Sequence, residues 1–72
     1  MNLQEMLYRL RGWNWLVAVH NDFNVMDGKV YTFWLFTNTD SGRFVKAEGE
    51  SDTHCVEQIY DEVRKIEREK FT

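Results

Sequence analysis

His54-Cys55 is the one place in this 72-residue chain where a histidine adjoins a thiol. A cysteine nucleophile needs its base within hydrogen-bond reach. Adjacent residues on a helix diverge by about 100°, so these two side chains do not face each other. Cys55 reads instead as a small core residue. A metal site needs three or four ligands at suitable spacing. His20, His54 and Cys55 are too few and too scattered, so neither a metal nor another cofactor is expected. Glu57 and Asp61 stand four residues apart and would share a helix face. Paired carboxylates do acid–base work only in a cleft that shifts their pKa, and a chain this short leaves little volume for one. The four glycines, at 12, 28, 42 and 49, are isolated and form no phosphate-binding loop. No catalytic residue emerges, and an enzyme is not expected.

Binding chemistry has more to work with. Trp13, Trp15, Trp34, Phe36 and Phe44 could stack on nucleobases, fill a core or form a protein interface. Base-stacking platforms sit in basic grooves, and the neighbouring cations are only Lys29, Arg43 and Lys46. The net charge of −3 argues against nucleic acid. From Glu48 to Glu62 there are six acidic residues and no Lys or Arg. The dipole of a helix start explains Asp52 and Glu57. It does not explain Glu48 and Glu50, which precede the helix. An acidic edge of Glu48, Glu50, Asp52, Glu57 and Asp61 would suit a basic protein surface, chiefly for steering and selectivity.

The elements that must carry these residues follow from periodicity. Leu3, Met6, Leu7 and Leu10 fall on one helical face, so residues 3–11 read as a short helix with Asn2 as N-cap and Gly12 as terminator. Trp13 to His20 switches to a two-residue period and reads as a strand. Asp27-Gly28 signals a hairpin. A strict two-residue turn there would extend the first strand to Met26 and pair Val19 with Phe36; a bulge or longer loop around Asn21–Asn24 is the alternative. Lys29–Thr37 is the second strand, Asn38–Gly42 a turn, and Arg43–Glu48 the third strand. A long helix runs from Asp52 or Thr53 to about Glu69, capped by Ser51 or Asp52. Val56, Ile59, Val63 and Ile66 form its buried stripe, flanked by Cys55 and Tyr60.

The expected fold is therefore α+β in the order α-β-β-β-α: one domain over residues 1–72, a three-stranded antiparallel meander with two helices packed on one face. The second strand poses a question. Tyr31, Phe33 and Leu35 alternate with Val30, Trp34 and Phe36, and both sets are apolar. A small antiparallel sheet usually keeps one face polar. Taking the first set toward the helices leaves Val30, Trp34 and Phe36 without a cover, to be supplied by a second copy or another protein.

The lone cysteine fits a reducing compartment. Residues 1–13 carry Glu5, Arg9 and Arg11 inside their apolar pattern, unlike a signal-peptide core. The longest aliphatic–aromatic run, Trp15–Val19, is too short to span a bilayer. A cytoplasmic protein without membrane contact is expected.

In topology the chain resembles the double-stranded-RNA-binding domain. That family opens its last helix with paired lysines that meet phosphates across the major groove. At the matching place this chain reads AEGESDTHCVEQIY, with Ala47, Gly49 and Ser51 in keeping and Asp52 and Thr53 where the lysines would stand. The resemblance thus implies the fold; a divergent nucleic-acid module using Lys29, Arg43 and Lys46 is the alternative function. The opening MNLQEMLYRLRG and the acidic corner are also similar in style to small acidic phage-encoded inhibitors of CRISPR nucleases. The function expected first is a small non-enzymatic interaction protein, an inhibitor or adaptor, that binds another protein through an aromatic sheet face and an acidic edge.

Overall fold

A computed structural model of the chain describes residues 1–24 and 27–70. Helix α1 spans Leu3–Gly12, strand β1 Trp15–Asn24, β2 Val30–Asn38 and β3 Phe44–Gly49, and helix α2 spans Asp52–Glu69. The strands form one antiparallel sheet in the order β1-β2-β3. This is the α+β order α-β-β-β-α read from the pattern.

Both helices begin as their sequences dictate. Asn2 Oδ1 accepts the Glu5 amide at 2.8 Å, and Ser51 Oγ accepts that of His54 at 3.4 Å. Each cap satisfies a backbone donor that has no partner within the helix. The α2 stripe is buried as its spacing requires: Cys55, Val56, Ile59, Tyr60, Val63 and Ile66. Met6 and Leu10 of α1 join it, together with Trp15, Trp34, Phe36 and Ala47 from the sheet.

The first strand starts later than its alternation suggests. Trp13 is not part of β1; it closes α1 and stacks on Tyr60 with ring centroids 5.8 Å apart. Asn14 follows at φ 66°, a left-handed turn that asparagine tolerates better than most residues. Its carbonyl accepts the Thr39 amide at 2.9 Å, tying this turn to the end of β2.

Register decides which side chains face the helices. Val17 pairs with Phe36 and Val19 with Leu35, with the irregularity between them at Ala18. Neither the strict Val19–Phe36 pairing nor a bulge at Asn21–Asn24 is found. The extension of the strand to Met26 lies outside the described residues. The bulge sits on an edge strand, where such features are common and interrupt further pairing.

Asn38 holds the turn that sends β2 into β3. Its Nδ2 donates to the Trp13 carbonyl at 3.1 Å, while its Oδ1 accepts the amides of Asp40 and Ser41 at 3.0 and 2.8 Å. A buried amide with all these partners is satisfied rather than costly.

Candidate functional site

The sheet has two faces, and the structure assigns them opposite to the expected way. Trp34 is 6% exposed and Phe36 1% exposed, both in the core beneath the helices. They are therefore not an open platform. The reason is the ladder: Trp34 lies across from Ala47, and Phe36 across from Val45, the small and branched residues over which α2 packs. Val30 belongs to the same set but is exposed at the strand's start.

The outer face belongs to the other set. Tyr31, Phe33 and Leu35 of β2 are only half-buried, with no helix above them. Their ladder neighbours on that face are Phe23, Asn21 and Val19 of β1, and Lys46 and Glu48 of β3. Leu16 and Phe44 flank Thr37 at one end, and Phe44 is 67% exposed. Phe23 stacks on Tyr31 at the other end, centroids 6.3 Å apart. Seven apolar side chains thus share one surface, rimmed by Lys46, Glu48 and Asn21. Contiguous exposed apolar surface of this kind marks an interaction site more often than scattered single residues do.

The acidic edge does not hold together. Glu48 stands on the outer face, and Glu50 is ion-paired with Lys29 at 3.8 Å. Both border a shallow depression with Tyr31, Ser51 and His54. Glu57 and Asp61 line a groove with Met1, Met6 and Arg64, on the α1 side of α2. Asp52 is turned inward: its Oδ1 accepts the Trp34 indole N–H at 2.9 Å and lies 3.2 Å from His20 Nε2. The hydrogen bond from Trp34 first, then the hydroxyl of Thr32 and the His20 ring, hold the Asp52 carboxyl below its ordinary pKa, against a smaller opposing effect of burial.

The basic residues are scattered as well. Lys29 precedes β2 beside Glu50, Lys46 stands mid-strand on the outer face, and Arg43 sits at the opposite end of β3, its carbonyl bonded to the Asn38 amide. They make no common groove. His54 and Cys55 diverge as helical geometry requires. Cys55 is fully buried with Sγ 3.7 Å from the Thr32 carbonyl, and His54 is exposed and pairs with Gln58. Burial, followed by the charges of Asp52 and Glu48, raises the Cys55 pKa, so the thiol is held in its unreactive form.

The residue that covers Trp34 is His20. Its ring stacks on the indole at 3.8 Å and 18°. Asp22 follows two residues later on the same side of β1, with Oδ1 4.0 Å from His20 Nε2. The two-residue spacing of His20 and Asp22 was a signal available in the sequence. Asp52, thirty residues further on, was not, because its approach depends on how α2 lies across the sheet. Comparison with family models, with curated proteins and with solved structures returns no match for this chain.

Proposed function

We propose that this is a small non-enzymatic interaction protein that docks another protein chain through the outer face of its sheet, and that a second copy is its first occupant. The single observation behind this reading is the apolar surface of Leu16, Val19, Phe23, Tyr31, Phe33, Leu35 and Phe44, left without a helix. Burying such side chains is favourable by roughly 25 cal/mol per Å² of apolar area.

Self-docking is supported by the charges on that face. Lys46 and Glu48 both stand outward on β3, two residues apart. A two-fold axis crossing the strands at Ala47 would set Lys46 of one copy against Glu48 of the other, twice. The same axis would lay Leu35 over Phe33. A two-fold contact must be self-complementary in this way. Edge-to-edge pairing through β1 is disfavoured by the irregularity at Ala18.

The inhibitor or adaptor role belongs with this reading, since the same face would meet a target protein. The lone buried thiol is in keeping with a reducing compartment such as the cytoplasm, which this reading adopts. Among the described residues, no helix is long and apolar enough to cross a membrane. Light scattering after gel filtration, run over a range of loading concentrations, tests the proposal. The expected result is a mass rising toward twice that of the chain. A monomer mass at every concentration, with no protein captured by this face, would refute it.

A further inference from the structure

On the helix side of the sheet, away from the proposed docking face, three metal-ligating side chains converge from two elements. His20 Nε2, an Asp22 oxygen and an Asp52 oxygen lie within 4.8 Å of one another. His20 and Asp22 come from β1, and Asp52 is the first residue of α2. We propose that these three residues bind a divalent transition cation of the zinc class and thereby clamp β1 to the start of α2.

The distances suit such an ion after a small closure. Zinc holds nitrogen and carboxylate oxygen at about 2.0–2.2 Å in a tetrahedron, which places neighbouring ligand atoms about 3.3 Å apart. His20 Nε2 and Asp52 Oδ1 are already 3.2 Å apart. Asp22 Oδ1, at 4.0 Å from the same nitrogen, has an exposed side chain free to swing inward. Three protein ligands leave the fourth position for water or a partner's group. An imidazole between two carboxylates favours zinc-type ions over magnesium, which prefers oxygen alone.

The surroundings are built as a supporting shell. The ring of His20 lies flat on Trp34, which fixes its plane. The indole N–H of that same Trp34 orients the Asp52 carboxylate. Outer partners of this kind position ligands for a metal.

A second observation points into the cluster. Thr32 is 4% exposed, and among the described residues its buried Oγ1 makes no well-formed hydrogen bond, although it lies close enough to the Asp52 carboxylate to favour its charged form. Thr32 lies directly across the ladder from Asp22. A buried hydroxyl left unpaired is uncommon and costly. A cation held by Asp22 and Asp52, with the water it brings, would supply a well-aligned partner. The positive end of the α2 dipole works against a cation here, and the two carboxylates offset it.

The test uses the intact chain stripped with a chelator and titrated with Zn²⁺, Co²⁺ and Mg²⁺, read by calorimetry and by thermal melting. One Zn²⁺ per chain and a rise in melting temperature are expected, with Co²⁺ giving the visible spectrum of a four-coordinate site and Mg²⁺ much the weakest. Asp22→Asn, an exposed change that leaves the core intact, should weaken Zn²⁺ binding at least tenfold, and His20→Gln should do the same. His54→Ala, which removes the other histidine, should leave binding unchanged. Absence of Zn²⁺ binding would overturn the proposal. So would binding that survives Asp22→Asn and His20→Gln or is lost in His54→Ala.

Discussion

The Trp34 indole N–H donates to Asp52 Oδ1 at 2.9 Å, joining the middle of the central strand to the first residue of the last helix. That one bond explains why the largest ring of the second strand is not a docking platform. Its face carries His20 and its edge carries Asp52, so the ring is a floor beneath a polar cluster. Replacing Trp34 by Phe keeps the ring and removes the donor. A hydrogen bond to a charged group contributes about 1.5–3 kcal/mol when buried. Asp52 is partly exposed, so a loss of about 1 kcal/mol is expected, measured by urea unfolding of Trp34→Phe against the native chain.

The same bond makes stability depend on acid. The folded state holds the Asp52 carboxyl below its ordinary value of 3.8. Its contribution is complete above that value and is lost as the pH falls through the lower folded value. Melting temperatures taken down to about pH 2 should therefore drop more steeply for the native chain than for Asp52→Asn, with the difference confined to the region below about pH 4. Parallel curves would show that Asp52 makes no such contribution.

Cys55 should resist thiol reagents. Burial and the nearby carboxylates keep its pKa high, and its Sγ packs within the core at full burial. Labelling should proceed only through opening of the structure and should speed up with urea as unfolding does. Rapid labelling of the folded chain would contradict its placement.

Asn38 should be among the most sensitive polar positions. Asn38→Ala removes the donor to Trp13 and the acceptor for two amides of the β2–β3 turn. Leaving those groups unpaired costs about 1–3 kcal/mol each at most, and a total near 3 kcal/mol would lower the melting temperature by about 12–24 °C in a domain of this size. A thermal melt followed by circular dichroism measures it.

The order of elements was legible because each carries its own signal. Asn2 and Ser51 cap helices whose apolar stripes are regular, and the turn residues after Asp27 and Asn38 separate the strands. The face assignment was not legible. Both alternating sets of β2 are apolar, so local pattern cannot choose between them. The choice rests on Ala18, where one extra residue shifts the register, and on Ala47, whose small side chain lets α2 lie over Trp34. Trp13 misled for a related reason: its spacing from Trp15 imitates a strand, while Asn14 turns the chain between them. The His20–Asp22–Asp52 cluster joins residues distant in sequence and exists only once that register is set.

Charge exchange on the outer face probes how two copies would meet. Lys46→Glu and Glu48→Lys should each weaken self-association, since each sets like charges against one another across the two-fold axis. The double exchange should restore it, a coupling that only a self-complementary contact produces. Dissociation constants from sedimentation for the four forms supply the cycle.

The most direct measurement is a series of amide spectra of the isotope-labelled native chain recorded from low to high concentration. Docking of two copies through the outer face predicts concentration-dependent shifts at Phe23, Tyr31, Phe33, Leu35 and Phe44, with the α2 residues Glu57 and Asp61 and the Trp34 indole unmoved. Shifts confined to α2, or none at any residue across the series, would contradict it.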